Sequence, residues 1–176
     1  GFPLVDPHVE DQRRRVNATR LLTLLSILAF ATFAWVDPFL ISGQALEDAY
    51  IFRASLCLLG GGVLLASWTS WGMRFALLLG SFVGIYTGIG VAILAVMTGG
   101  PAGAYWTMIM LCFFGVSLIL PQKAWHAAFS YTLVTVFYYV WSTTNGAVGE
   151  MGPWVVSLAG IVLANVVSVA GAAYIH

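Results

Sequence analysis

The sequence predicts an all-α polytopic membrane protein: a six-helix transmembrane bundle with both termini cytoplasmic. Three observations carry this. Hydrophobic residues make up 60% of the 176-residue chain and charged residues only 8%, whereas soluble domains carry about 25% charged residues. Apolar runs near the length needed to cross a hydrocarbon core of about 30 Å recur six times. Backbone polar groups in lipid must be satisfied within their own segment, so such runs are read as helices.

Residues 1–20 are polar and charged, with no cleavage site after a short apolar region, and are read as a cytoplasmic segment rather than a signal peptide. The transmembrane domain occupies 21–176. Its spans fall at about 21–41, 49–68, 71–97, 104–120, 124–143 and 153–175. The breaks carry turn chemistry: SGQ at 42–44, TGGPAG at 98–103, PQK at 121–123 and NGAVGEMGP at 145–153. Every link is short, so consecutive helices should be antiparallel neighbours. The chain opens on Gly1 and closes on His176 directly after an apolar run, which points to a segment of a longer protein.

Basic residues orient the bundle. Arg13, Arg14, Arg15 and Arg20 precede the first span, Arg74 sits at the second link and Lys123 at the fourth. All six fall on one side, which the positive-inside rule makes cytoplasmic. Glu47, Asp48 and Glu150 fall on the other. Tryptophans are expected at both interfaces, Trp68, Trp71 and Trp125 inside and Trp35, Trp106, Trp141 and Trp154 outside.

Several chemistries lack their residues. No basic patch neutralises several phosphates, so nucleic acid is not a partner. The one lysine, Lys123, lies in a turn and not in a span, where a retinal Schiff base would need it. The histidines, His8, His126 and His176, lie at or beyond the cytoplasmic edge, away from haem-ligand positions. GxSxG and HExxH patterns are missing. Cys57 and Cys112 sit inside apolar runs and read as small buried hydrophobes. No cofactor is assigned. Asp37, Glu47, Asp48 and Glu150 offer the hard oxygens a divalent cation prefers, but their spacing assigns no metal site.

Two ionisable residues fall within spans: Asp37 about one turn from the outer end of the first, Arg53 about one turn from the outer end of the second. A short link joins these helices, so the two groups sit at similar depth. An intramembrane charge is costly unless paired, which predicts an Asp37–Arg53 ion pair. It is either a clamp on the helix hairpin or the floor of an outward-facing pocket with Glu47 and Asp48 at its rim. Tyr105, Tyr138 and other hydroxyls either line that pocket, for a small amphiphilic ligand from the outer side, or bond across the bundle. Gly80, Gly84 and Gly88 form one small-residue stripe. Gly160, Ala164, Ser168 and Ala172, with Asn165 beside them, form another, for internal packing or for a homodimer seam.

The stretch FPLVDPHVEDQRRR, the FATFAWVD ending in Asp37, the IFR at Arg53, the Pro101–Tyr105 loop, the Pro121 turn and the closing LANVVSVAGAAYIH together carry a resemblance. The chain resembles the N-terminal six-helix membrane domain of bacterial signalling proteins: class III adenylate cyclases, some diguanylate cyclases and sensor histidine kinases. The resemblance implies a sensor and anchor domain in the bacterial inner membrane. Its sixth helix would relay a ligand or membrane signal to a dimeric cytoplasmic output domain. It implies no catalytic residue in this segment; a cyclase or kinase would carry those elsewhere. The alternatives are an accessory subunit of a larger membrane complex and, with less behind it, a small transporter.

Overall fold

The computed structural model describes residues 7–103, 105–145 and 151–175. Among them every regular element is helical. The helices are α1 (Pro7–Phe33), α2 (Gln44–Ala66), α3 (Ser70–Arg74), α4 (Ala76–Met97), α5 (Trp106–Ile119), α6 (Ala124–Thr144) and α7 (Met151–Ile175), with 3-10 turns at Asp37–Phe39 and Gly100–Ala102. Four of these, α1, α2, α4 and α7, are long and apolar enough to cross a membrane. The six-span reading exceeds this at two places. Helix α5 has 14 residues, about 21 Å of rise. Helix α6 has 21 residues, but Ser130, Tyr131, Thr132, Thr135, Tyr138 and Tyr139 dilute its apolar character.

The first helix begins well ahead of residue 20. Pro7 takes the first helical position, where its missing N–H costs nothing, and α1 then runs without a break through the arginines into the apolar stretch. Hydropathy marks where lipid begins, not where the helix begins. It also ends before the predicted span does. Pro38 has no N–H and its ring would strike the carbonyl of Ala34, so a helix cannot pass through it. Helix α1 stops at Phe33, and Asp37 opens a separate 3-10 turn. Gly43, at φ 64°, then turns the chain into α2. The third predicted span is also divided. Thr69 caps α3 by accepting from the Gly72 N–H at 3.0 Å, and Phe75 separates α3 from α4.

Helix α4 is the hub: α1, α2, α5 and α6 pack against it, and α7 lies outside, on α5 and α6. The glycine stripe explains the close approach. A Cβ on Gly80 would strike Leu120 and Thr19, one on Gly84 would meet Val116, and one on Gly88 would come 2.8 Å from Val134. Helix α1 meets α4 through hydroxyls. Thr19 donates to the Ala76 carbonyl at 2.7 Å, and Thr87 donates to Ser26 at 3.0 Å. Thr23 and Ser26 return their own protons to carbonyls four residues back, so the seam leaves none of these hydroxyls unpaired.

Arg20, Arg74 and Lys123 share one end of the bundle, and Arg53 lies at the other. Arg20 donates to the Ser67 carbonyl at 2.9 Å and stacks over Trp68 at 4.0 Å. Gln12 reaches the Met73 carbonyl, and Leu120, just before the Lys123 turn, touches the Thr19–Gly80 contact. Trp68, Trp71 and Trp125 are exposed there, and Trp35 is exposed at the opposite end. Trp106 and Trp154 are packed within the bundle, Trp106 on Gly160 and Trp154 on Tyr139.

The α7 stripe is used inside the chain. Ala164, Ser168 and Ala172 are buried, and a Cβ on Gly160 would meet Trp106 at 2.9 Å. Helix α7 packs on α5 and α6, so these positions serve internal packing, one of the two expectations for the stripe. Asn165 is half-buried beside them.

Candidate functional site

The predicted ion pair forms. Asp37, fully buried on its turn, receives the Arg53 guanidinium in two parallel bonds: Nε to Oδ2 at 2.6 Å and Nη2 to Oδ1 at 2.7 Å. Bidentate pairing of this kind is the strongest arrangement an arginine and a carboxylate make. A third residue completes the cluster. Tyr105, at the entrance to α5, donates its hydroxyl proton to Asp37 Oδ1 at 2.8 Å and accepts from Arg53 Nη2 at 3.1 Å. Both Asp37 oxygens, the Tyr105 hydroxyl and four of the five Arg53 N–H groups are thus engaged. The fourth of these is the long 3.5 Å contact from Nη1 to the Phe30 carbonyl. The cluster joins the α1–α2 turn, α2 and α5 at a single point away from solvent. Leaving any member unpaired there is costly.

Arg53 and Tyr105 also form the polar end of a cavity of about 280 Å³. One wall is α1, through residues such as Leu25, Ala29 and Phe33. The facing wall is α5, through Leu111, Gly115 and Ile119, and α4 supplies the floor. The lining positions recur at helical spacing, so the cavity runs along α1 and α5 for about eleven residues, roughly 16 Å. It lies between α1 and α5, which pack on each other far less than either packs on α4. Leu25 and Leu111 at its rim are 44% and 59% exposed, so it opens sideways, through the apolar flank of the bundle.

The other predicted site residues are placed elsewhere. Glu47 and Asp48 are exposed on the first turn of α2, where Asp48 accepts from Gln44 at 3.2 Å. Neither lines the cavity, so the acidic rim is corrected: the opening is lateral and apolar. Tyr138 is fully buried on α6, edge-to-face with Tyr139, and has no part in the cavity. Its α6 neighbour Tyr131 bonds to Ser117 and to Gln122, closing the other end of the bundle. Among the described residues no three His, Cys, Asp or Glu side chains converge as a metal set. Glu150 and His176 lie outside the described residues. Cys57 and Cys112 are half-buried free thiols, and Cys112 lines the cavity.

Sequence reasoning missed three features: the joining of Tyr105 to the ion pair, the hydroxyl seam of α1, and the cavity itself. The seam was readable, because Thr19, Thr23 and Ser26 recur at helical spacing. The cavity left one sign, Gly115, whose added Cβ would meet nothing within 4 Å.

In comparisons with protein-family models, with curated proteins and with solved structures, the chain matches none.

Proposed function

We propose that this chain is the membrane-embedded input and anchor domain of a bacterial signalling enzyme, of the adenylate-cyclase kind. In this reading α5 and α6 cross the inner membrane together with the four longer apolar helices, both ends face the cytoplasm, and two copies associate so that α7 can lead into paired output domains. The observation that carries it is the Asp37–Arg53–Tyr105 cluster at the closed end of the cavity. It fixes α5 to the α1–α2 hairpin where an occupant would press them apart.

The packing supports a route from that point. The face of α5 opposite the cavity carries α7, with Trp106 seated on Gly160. A displacement of α5 is therefore felt first by α7. A ligand shifts such an equilibrium only by binding one arrangement more tightly than the other. The resemblance in the sequence supplies the output: nucleotide cyclisation in a domain beyond residue 176.

Two measurements test this. The gene is read past codon 176, where an in-frame helix followed by a cyclase or kinase domain is expected; a stop codon there sinks the proposal. Output of the full protein in membranes is then compared with that of Tyr105→Phe, which should change basal activity. Purification at fixed stoichiometry with other membrane proteins would favour the accessory-subunit reading instead.

A further inference from the structure

We propose that the α1–α5 cavity is a binding groove for a single-chain lipid of the fatty-acid class, which enters sideways from the bilayer. The inference rests on the reading above, in which this cavity is the input site, and it names the ligand.

Three observations select the chemistry. The first is shape: about 280 Å³ drawn out over roughly 16 Å suits one extended hydrocarbon chain and not a fused ring system. The second is access. The rim is formed by exposed leucines, so the groove faces the hydrocarbon of the membrane, and a molecule already dissolved there reaches it without crossing water. Gly115 widens the middle of the groove, since nothing occupies the space beyond its Cα.

The third is the polar end. Arginine carries five N–H groups. In Arg53 the Nη1 group has only the long Phe30 contact at 3.5 Å among the described residues, and the side chain lines the cavity. One N–H is therefore left for an oxygen acceptor at the head of the chain. Asp37 already balances the charge of Arg53, so the site suits a neutral head, a carboxyl group that keeps its proton, and not a charged phosphate. Arg53 is 3% exposed and Asp37 0%, so a head that meets them must be compact, as a carboxyl group is and a phosphocholine is not. The head then lies at Arg53 and the tail runs toward Leu22 and Ile119.

The test uses the full chain in phosphatidylcholine nanodiscs with a sixteen-carbon fatty acid bearing a mid-chain diazirine. Cross-linked peptides are mapped by mass spectrometry. Adducts are expected on residues 22–33 and 108–119, competed by unlabelled palmitic acid and not by lysophosphatidylcholine. Gly115→Leu should cut labelling about tenfold, a loss of about 1.4 kcal/mol in binding, with its melting temperature held. Gly62→Leu, whose added side chain meets open space on α2, should label like the parent. If Gly115→Leu does not fold, Ala29→Leu fills the groove from the opposite wall and should give the same loss. Labelling spread evenly over α2 and α7, or unchanged in the filled variants, overturns the proposal. So does competition by lysophosphatidylcholine alone, which would assign the groove to a phospholipid. The labelling reads the ligand and the enzyme assay reads the output, so failure of one does not pass for failure of the other.

Discussion

Tyr105 and Arg53 share Asp37 Oδ1: the phenol donates to it at 2.8 Å and the guanidinium Nη2 at 2.7 Å. The two donors come from the start of α5 and the first half of α2, 52 residues apart in sequence. One carboxylate oxygen therefore fixes the relative position of two helices that are not neighbours in the chain.

Removing the guanidinium should be the most damaging change at this point. Arg53→Ala leaves Asp37 buried without compensation and should cost about 3–5 kcal/mol. The double variant Asp37→Asn, Arg53→Gln should recover part of that loss. Thermal melts in matched lipid or detergent compare the three, and a melting temperature for Arg53→Ala equal to the parent's would refute the pairing.

Tyr105→Phe keeps the ring and removes only the hydroxyl. Oδ1 then loses one donor and Nη2 one acceptor, so about 1–3 kcal/mol should be lost, clearly less than for Arg53→Ala. The same melts check the order. A phenylalanine variant as damaged as Arg53→Ala would mean that the ring packing, and not the bond, holds α5.

Two glycine changes should part company. Gly88→Leu forces α4 away from Val134 on α6, with overpacking of about 1–3 kcal/mol. Gly62→Ala meets nothing within 4 Å and should be neutral or stabilising by up to about 1 kcal/mol, as alanine favours a helix over glycine. Unfolding free energies of the two variants decide it. Equal losses would remove the hub role from α4.

The orientation is tested by single cysteines in a background with Cys57→Ala and Cys112→Ala. Arg14→Cys and Tyr174→Cys should react with an impermeant maleimide only after inner-side access is given, and Asn145→Cys from the outer side. Opposite accessibility of positions 14 and 174 would leave no path from the bundle to an intracellular effector.

The ion pair was legible because depth is a one-dimensional quantity. A short link joins two runs, so two charges equally far from that link must meet. Tyr105 was not placed with them, because nothing in a linear pattern says which side of α4 the fifth helix takes. Pro38 was the overlooked sign that Asp37 stands outside α1, since hydropathy counts residues and ignores a missing N–H. The small residues of α7 were visible as a stripe, yet a stripe fits a neighbour in the same chain as well as a second copy. Within the chain, Trp106 of α5 takes the place beside Gly160. The groove could not be read in advance, because it is defined by what α1 and α5 fail to touch.

Helix α1 is one uninterrupted rod of 27 residues, about 40 Å long. Its C-terminal end is moored through the turn that carries Asp37 to Arg53, and its arginine-bearing end extends past the point where Thr19 grips Ala76. A rod held in this way is a lever with its fulcrum off-centre. A tilt about Thr19 would therefore carry the arginine-bearing end and the moored end in opposite directions, so that any strain on the Asp37–Arg53 pair is felt at Arg13, Arg14 and Arg15.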